Sequence, residues 1–465
     1  MGNASAMTTG SMEELWRLGD KEPLFLLRDD DLQRVAESYR HLIEVICEGD
    51  QVYGVHTDFG FNIKDTSNKP WKEHQKDLLG FLTVGVGDPL DVSTVRRALR
   101  LQAMKAGTGI SGLSPETYKR LVELCNSDRL PDVPRHGSLG ASGDLIPMAH
   151  CVTPIFADFD PAGPRDVLAL VNTNAIMSSY AVDQYWRVSR LVSTTTEIVA
   201  LISLALGVVD SFFSSDAFRF NPLNKGIVKA GQAINDSRMT VLSQVGLGFR
   251  HVAGVPLQER YSVRCSPQVL GNAMDIFAFV EAKIVAEALS VADNPVVLLN
   301  EEAKPYVQHG GLFYAAGIGT ACDGMSDVLG KICEMVDRQV LLLMDPELSH
   351  GLPTNLEWGE DLHVKGIHQL VSALMQTIRA YSIPSRAMSF SCEGNNQDIV
   401  PCGMSALNSL DEMLDKAEEL IRAAHFVATR AFALRYLEKL PETLQLRNWP
   451  DYARQPEMAD SLSQG

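Results

Sequence analysis

Five long stretches of this chain repeat apolar residues at three- and four-residue spacing, around 187–213, 273–292, 314–344, 364–381 and 403–436. That period lines apolar side chains along one face of a helix, so each stretch must bury a stripe against another element. Two stretches nearer the N-terminus behave alike. "DLQRVAESYRHLIEVICEG" (31–49) stops at Gly49, and "DVSTVRRALRLQAMKAGTG" (91–109) opens on an Asp and a Ser that can cap and runs to a glycine stop. Strand-like stretches are few and short, "PVVLL" at 295–299 and "LFLL" at 24–27. The pattern predicts a mostly α fold built on a long central helical bundle rather than alternating β-α units.

Charge narrows the partners. With 41 Lys and Arg against 58 Asp and Glu, the chain carries a formal −17. Binding to nucleic acid or to an anionic membrane needs clustered Lys and Arg, and no such block appears. The longest apolar stretch, "IVALISLALGVV" (198–209), is too short to span a bilayer and ends at Asp210, so it is expected as a buried helix. Eight scattered cysteines without a CxxC pair point to reduced thiols and a cytoplasmic protein. Eleven histidines without HExxH or a tight cluster give no reason to expect a metal. The opening "MGNASAMTTGSMEELWRLG" lacks a basic region followed by an apolar core, so it is no signal peptide. Residues 1–24 are expected as a flexible lead. No linker or repeat divides the rest, which reads as one functional unit with an N-terminal part over 25–192 and the bundle with its C-terminal helices over 193–465.

The helical pattern breaks at a few places of odd composition: "YGVHTDFGFN" (53–62), "HGSLGASGD" (136–144), "LVNTNA" (170–175), "LQERYSVRCSPQVLG" (257–271), "HGGLFY" (309–314) and "SCEGNNQD" (391–398). In a helical protein such breaks are where site residues gather. Ser142, in Ala141-Ser142-Gly143, has three readings. A hydrolase nucleophile needs a GxSxG elbow after a strand, and "GASGD" has no strand behind it. A phosphate loop needs GxxxxGK[ST], and no lysine follows. The third chemistry uses the triplet itself. If the Gly143 nitrogen attacks the Ala141 carbonyl, loss of water gives an imidazolone, and loss of the Ser142 hydroxyl as a second water gives an exocyclic methylene. The product is a conjugated electrophile. Only small residues allow so tight a turn, and a side chain at 143 would obstruct closure. Asp144 and the apolar Leu145-Ile146 read as a helix start whose positive end points at the ring.

The stretch "GSLGASGDLIPMAH" resembles the methylidene-imidazolone (MIO) loop of the aromatic amino acid ammonia-lyases and 2,3-aminomutases, the family of histidine, phenylalanine and tyrosine ammonia-lyases. Other motifs follow in that family's order. "YGVHTDFG" is similar to its YGVxTGFG loop and "LVN" (170–172) to its LxNG segment. "YSVRCSPQVLG" resembles YSxRCxPQVxG, and "GVGD" (85–88), "DNP" (293–295), "GGLF" (310–313) and "NQD" (396–398) fall in place. The resemblance spans roughly residues 25–430. It implies the histidine/phenylalanine ammonia-lyase fold, a homotetramer with sites shared between subunits, an MIO formed autocatalytically from Ala141-Ser142-Gly143, and no external cofactor or metal.

It also implies roles. Tyr53 matches the base that takes the β-proton, which requires its pKa to be lowered by dipoles or positive charge. Arg264 matches the residue pairing bidentately with the substrate carboxylate. Asn172 matches the asparagine that orients the substrate and supports the electrophile. Gln258 and Tyr261 match a glutamine and a proton-relaying tyrosine beside the ring, and Phe313 an aromatic beside the substrate. Glu393 stands where phenylalanine-type members place a carboxylate near the amine, with Asn396 and Gln397 as their Asn-Gln pair. Phe81-Leu82 stands at the selectivity pair, where histidine-type members have Ser-His and tyrosine-preferring ones His-Leu. Two apolar residues leave a hydroxyl or imidazole unsatisfied, so a phenylalanine-like side chain is expected.

Four residues depart from the family: Asp58 for a Gly, Thr173 for a Gly, Glu259 for an Asp and Leu312 for an Asn. Asp58 is expected either to raise the pKa of Tyr53 or to bind a cationic or polar substrate group. The chain also ends earlier than typical members, which predicts reduced C-terminal helices. The expected activity is elimination of ammonia from an aromatic L-amino acid to an arylacrylate. Two alternatives stay open. A 2,3-aminomutase would hold the ammonia and add it back at the β-carbon. A catalytically silent relative would serve in assembly or binding.

Overall fold

A computed structural model of the chain describes residues 10–64, 69–360 and 362–454. It is mostly helical, and the anticipated long helices are Ala175–Ala205, Ser266–Leu289, Ala316–Leu343, Lys365–Tyr381 and Gly403–Tyr436. Their bounds lie up to 12 residues from the predicted ones, because the ends are set by turns and caps rather than by the apolar period. Two compact units emerge. One comprises residues 1–184, 280–323 and 384–409, the other 185–279, 324–383 and 410–465. The division is therefore not a single cut after residue 192.

In the first unit, helix Asp29–Cys47 buries Val35, Leu42 and Val45 on one stripe and ends two residues before Gly49, whose φ is +90°. Helix Val92–Ala106 has Asp91 at its N-cap position, but the side chain makes no capping bond. "PVVLL" supplies the strand Val296–Leu299, paired antiparallel with Pro305–Gln308, and a second antiparallel pair joins Val86–Pro89 to Pro134–His136 across two intervening helices. "LFLL" is not a strand. The Asn126 side chain accepts from the Phe25 N–H at 2.7 Å and donates to the Phe25 carbonyl at 2.8 Å, occupying the groups a neighbouring strand would need.

The expected flexible lead is only partly testable, since residues 1–9 lie outside the described ones. From residue 10 onward it is ordered. Ser11 and Glu14 form a reciprocal capping box on helix Met12–Arg17, which buries Met12 and Leu15. The buried Arg100 guanidinium then donates to the carbonyls of Leu18, Asp20, Lys21 and Pro23, a fourfold anchor for the turns that follow the helix.

In the second unit, helix Lys365–Tyr381 buries Ile367, Val371, Leu374, Met375 and Ile378, one stripe at helical spacing, each worth about 1.5–3 kcal/mol of transfer free energy. The acidic run of helix Gly403–Tyr436 has a structural use. Asp411, Asp415 and Glu418 rise along one face and receive the Arg187 guanidinium at 2.8, 2.7 and 2.8 Å. The segment from Asp166 to Ala205 is apolar and long enough to cross a bilayer, yet 72% of its most apolar window is buried within the chain. Ile198 to Ile202 are at most 1% exposed, as expected of a core helix.

Candidate active site

Small residues make the loop around Ser142 tight. Gly140 and Gly143 pair as an isolated antiparallel bridge, with φ of +72° and +73°, in the left-handed region that favours glycine. A second constraint acts on Gly143, because a Cβ there would overlap the Thr173 carbonyl. Ser138 ties the loop across itself. Its hydroxyl accepts from the Gly140 N–H at 2.9 Å and donates to the Gly143 carbonyl at 3.3 Å. Ala141 is 5% exposed and seats the loop on Val400 and Cys402.

Asp144 precedes helix Leu145–Val152 but does not cap it. Its carboxylate accepts from the Met177 N–H at 3.0 Å, so it caps the long helix Ala175–Ala205 instead. Its own N–H donates to the Thr173 carbonyl at 2.5 Å. Burial pushes the Asp144 carboxyl up to about 7, opposed by the Met177 and Ile176 amides and by Lys105. Lys105 lies beside it, fully buried, and burial pushes its ammonium down to about 8. The ammonium donates to the Asn174 side chain and, at 3.1 Å, to the Glu287 carbonyl. This buried charge behind the loop escaped the sequence reading. The signal was a lysine in a helix otherwise buried from Thr94 to Ala103.

Two predicted side chains meet Ser142 directly. Asn172 donates to its carbonyl at 2.9 Å, and Gln397 donates to its hydroxyl at 3.0 Å. The Asn172 Oδ1 is buried and has no hydrogen-bond partner among the described residues. Gln397 is aimed by a residue the sequence did not single out: the Cys392 thiol donates to its Oε1 at 3.0 Å, which turns the amide nitrogen towards Ser142. Asn396 does not reach the loop. It donates to the Glu393 carboxylate at 2.8 Å.

Tyr53 sits on the neighbouring base loop. Its hydroxyl oxygen accepts from the Gly60 N–H at 2.8 Å, and its N–H donates to His309 at 3.2 Å, which fixes His309 Nε2 as an acceptor. Burial raises the Tyr53 hydroxyl above the ordinary tyrosine value. The Gly60 N–H and the Arg165 guanidinium work against that rise, and the Glu393 carboxylate adds to it. The carboxylate acting on Tyr53 is thus Glu393 and not Asp58. Asp58 is turned to the buried His74, 3.6 Å from its Nδ1.

An aromatic line joins the base loop to the selectivity pair. Phe59 meets Tyr53 edge to face at 6.2 Å, lies 6.2 Å from Phe81, and stacks on His74 at 4.5 Å. Phe81 is 54% exposed and Leu82 is 7% exposed. Phe59 was not foreseen, because nothing in its own spacing marks it. Phe313 is half-buried beyond His309, and Leu312 is exposed.

The remaining predicted residues lie in the second unit. Gln258 is exposed, Tyr261 is 72% exposed, and the Arg264 guanidinium sits 4.6 Å over the Tyr261 ring. The Arg264 Nε is buried without a hydrogen-bond partner among the described residues. Glu259 is buried and pairs with His350 at 2.7 Å, which anchors the segment that carries them.

A family model described as Aromatic amino acid lyase matches residues 11–160 and 159–449. Tyrosine ammonia-lyase of Cereibacter sphaeroides is 29% identical over 440 residues, covering 86% of this chain and 83% of that protein. Histidine ammonia-lyase of Gloeobacter violaceus is 28% identical over 423 residues, covering 85% and 80%. Among solved structures, Pantoea agglomerans phenylalanine aminomutase superposes with a TM-score of 0.81 at 23% identity, over 98% of this chain and 96% of that one. At these identities the structural likeness speaks for the fold.

Proposed function

The chain belongs to the aromatic amino acid lyase family of carbon–nitrogen lyases, and from that premise we propose that it eliminates ammonia from an aromatic L-amino acid with an apolar, phenylalanine-like side chain. The observation that carries this reading is the convergence at Ser142. Gln397 holds its hydroxyl and Asn172 its carbonyl, while Gly143 is kept free of a side chain. That arrangement fits ring closure. The loop is tight, the nitrogen that attacks the Ala141 carbonyl belongs to a glycine, and the Asn172 Oδ1 is buried and unspent among the described residues.

The methylidene-imidazolone made from Ala141-Ser142-Gly143 would supply an electrophile for the substrate amine and turn it into a better leaving group. The chain's own residues do the rest. Tyr53 takes the β-proton, with the Gly60 N–H and Arg165 supporting its phenolate. Arg264 pairs with the substrate carboxylate through donors that stay free on the Tyr261 ring. Gln397 and Asn172 hold the loop in register. Phe81, Leu82 and Phe59 offer the substrate ring an apolar, aromatic wall without a partner for a hydroxyl or imidazole. Exposed Tyr261 and Leu257, 72% and 93% exposed, support a homotetramer in which another copy covers this segment.

Chiral chromatography of products from a panel of aromatic L-amino acids tests the reading. An arylacrylate from phenylalanine is the expected product. A β-amino acid would make the chain an aminomutase, and no turnover of any panel member would overturn the enzymatic reading. Intact mass lower by two waters tests ring closure independently.

A further inference from the structure

The base loop and the 391–398 segment interlock through two glycines. A Cβ on Gly60 would fall on the Glu393 carboxylate, and a Cβ on Gly394 would lie 2.5 Å from the Phe61 ring. Adjacent backbone amides of this turn serve two different acceptors. The Gly60 N–H donates to the Tyr53 hydroxyl oxygen at 2.8 Å, and the Phe61 N–H donates to Glu393 Oε1 at 2.9 Å. Asn396 steadies the other carboxylate oxygen at 2.8 Å. Glu393 holds this pose at a φ of +51°, followed by Gly394 at +60° and Asn395 at +67°. Three consecutive left-handed residues are costly unless the surroundings impose them. The same segment carries Gln397 to Ser142.

We propose that Glu393 is a positioning residue that ties the turn holding the Tyr53 hydroxyl to the Ser142 side of the site, and that its negative charge acts on Tyr53 until the substrate ammonium engages the carboxylate. The proposal rests on the lyase reading above. Its physical basis is charge. The groups acting on the hydroxyl are the Gly60 N–H and Arg165, which favour phenolate, and Glu393, which opposes it together with burial. An ammonium beside Glu393 cancels its field, so that burial alone then opposes the pull of the Gly60 N–H and Arg165. Ionisation of Tyr53 is thereby eased when there is a substrate to deprotonate.

The test compares Glu393→Gln with Glu393→Ala. The amide of Glu393→Gln keeps an acceptor for the Phe61 N–H and removes the charge, whereas Glu393→Ala removes both. The acidic limb of kcat/KM reports the free enzyme and that of kcat the substrate complex. In the unmodified chain the kcat limb should lie at lower pH than the kcat/KM limb. Glu393→Gln should move the kcat/KM limb to lower pH and close most of that gap. Glu393→Ala should also lower kcat, because the turn loses its tie. An unmoved kcat/KM limb in Glu393→Gln, or equal movement of both limbs, would overturn the proposal. A readout independent of turnover separates its failure from that of the lyase reading. The tyrosinate absorbance that disappears in Tyr53→Phe should titrate at lower pH in Glu393→Gln than in the unmodified chain, and an unchanged titration overturns the proposal even if no substrate is found.

Discussion

Two regions that the chemistry requires side by side are built in opposite ways. Around Ser142 the candidate groups are half-buried or buried and already bonded to one another, with Gln397 on the Ser142 hydroxyl, Asn172 on its carbonyl and Gly60 on Tyr53. Over residues 257–264, Gln258 and Tyr261 stand in the open and Arg264 is half-buried. Leu257 is 93% and Tyr261 72% exposed, and the Arg264 Nε is unspent among the described residues. One region is preorganised within a single chain. The other has anchored its backbone through Glu259 and His350, and its Arg264 guanidinium lies over the Tyr261 ring with no hydrogen-bond partner for Nε among the described residues. The contrast teaches that the Ser142 loop and Tyr53 are prepared within one unit, whereas Arg264 keeps its Nε unspent among the described residues.

The largest expected effect breaks the preorganised side. Ser142→Ala removes the hydroxyl that leaves as the second water, and turnover should fall by roughly 10³-fold or more, as when one member of a catalytic unit is lost. Intact mass should then no longer show the loss of both waters. Gly143→Ala should have a similar result for a second reason, its collision with the Thr173 carbonyl. Activity within a few-fold of the unmodified chain would remove the electrophile from the account.

Breaking the open side should cost less. Arg264→Ala should raise KM by about 30-fold or more, since losing a charge-paired hydrogen bond costs roughly 2–5 kcal/mol. The comparison itself is sharpened by co-expressing Arg264→Ala with Tyr53→Phe. If the two regions meet between copies, mixed assemblies regain activity well above either variant alone. No recovery would place both residues in the same chain's site.

The aromatic line is the next target. Phe81→His should shift the ratio of kcat/KM for tyrosine over phenylalanine upward by about tenfold, because a buried hydroxyl then has a partner. An unchanged ratio would mean that Phe81 packs without contacting substrate. The smallest effect concerns the buried charge behind the loop. Unfolded, Asp144 ionises near 3.8, and folded only near about 7. Between those values the folded chain retains a proton that the unfolded chain has lost, so stability falls as pH rises through that window. Asp144→Asn should flatten this dependence while keeping an acceptor for Met177, measured as a smaller change in Tm between pH 4.5 and pH 7.5. An unaltered slope would place the cause elsewhere.

Much of the site was legible in the sequence, but unevenly. Motifs of contiguous residues pointed to the Ser142 loop, Tyr53, Asn172 and Gln397, and the folded chain brings all four into one unit. His309 and Lys105 were missed because each acts through a neighbour distant in sequence, and Phe59 and Cys392 because neither carries a pattern of its own. Of the two expectations for Asp58, the effect on Tyr53 is not met. Asp58 is close to Tyr53 along the chain, yet its carboxylate is turned to His74 and the charge on Tyr53 comes from Glu393. Asp144 does stand at the start of helix Leu145–Val152, as read, but its carboxylate serves the Met177 N–H of the long helix Ala175–Ala205, which no local pattern announced.

By itself the sequence determined the helical class and pointed to the chemistry proposed for Ala141-Ser142-Gly143. Helical periodicity is written over a dozen adjacent residues, and ring closure involves only atoms two peptide units apart. Tertiary structure decided which side chains face that triplet. The Gln397 amide reaches Ser142 across 255 positions, and its aim depends on a thiol, a strained turn and a carboxylate held at the base loop. Such convergence is a property of packing, which fixes distances that chain separation leaves open.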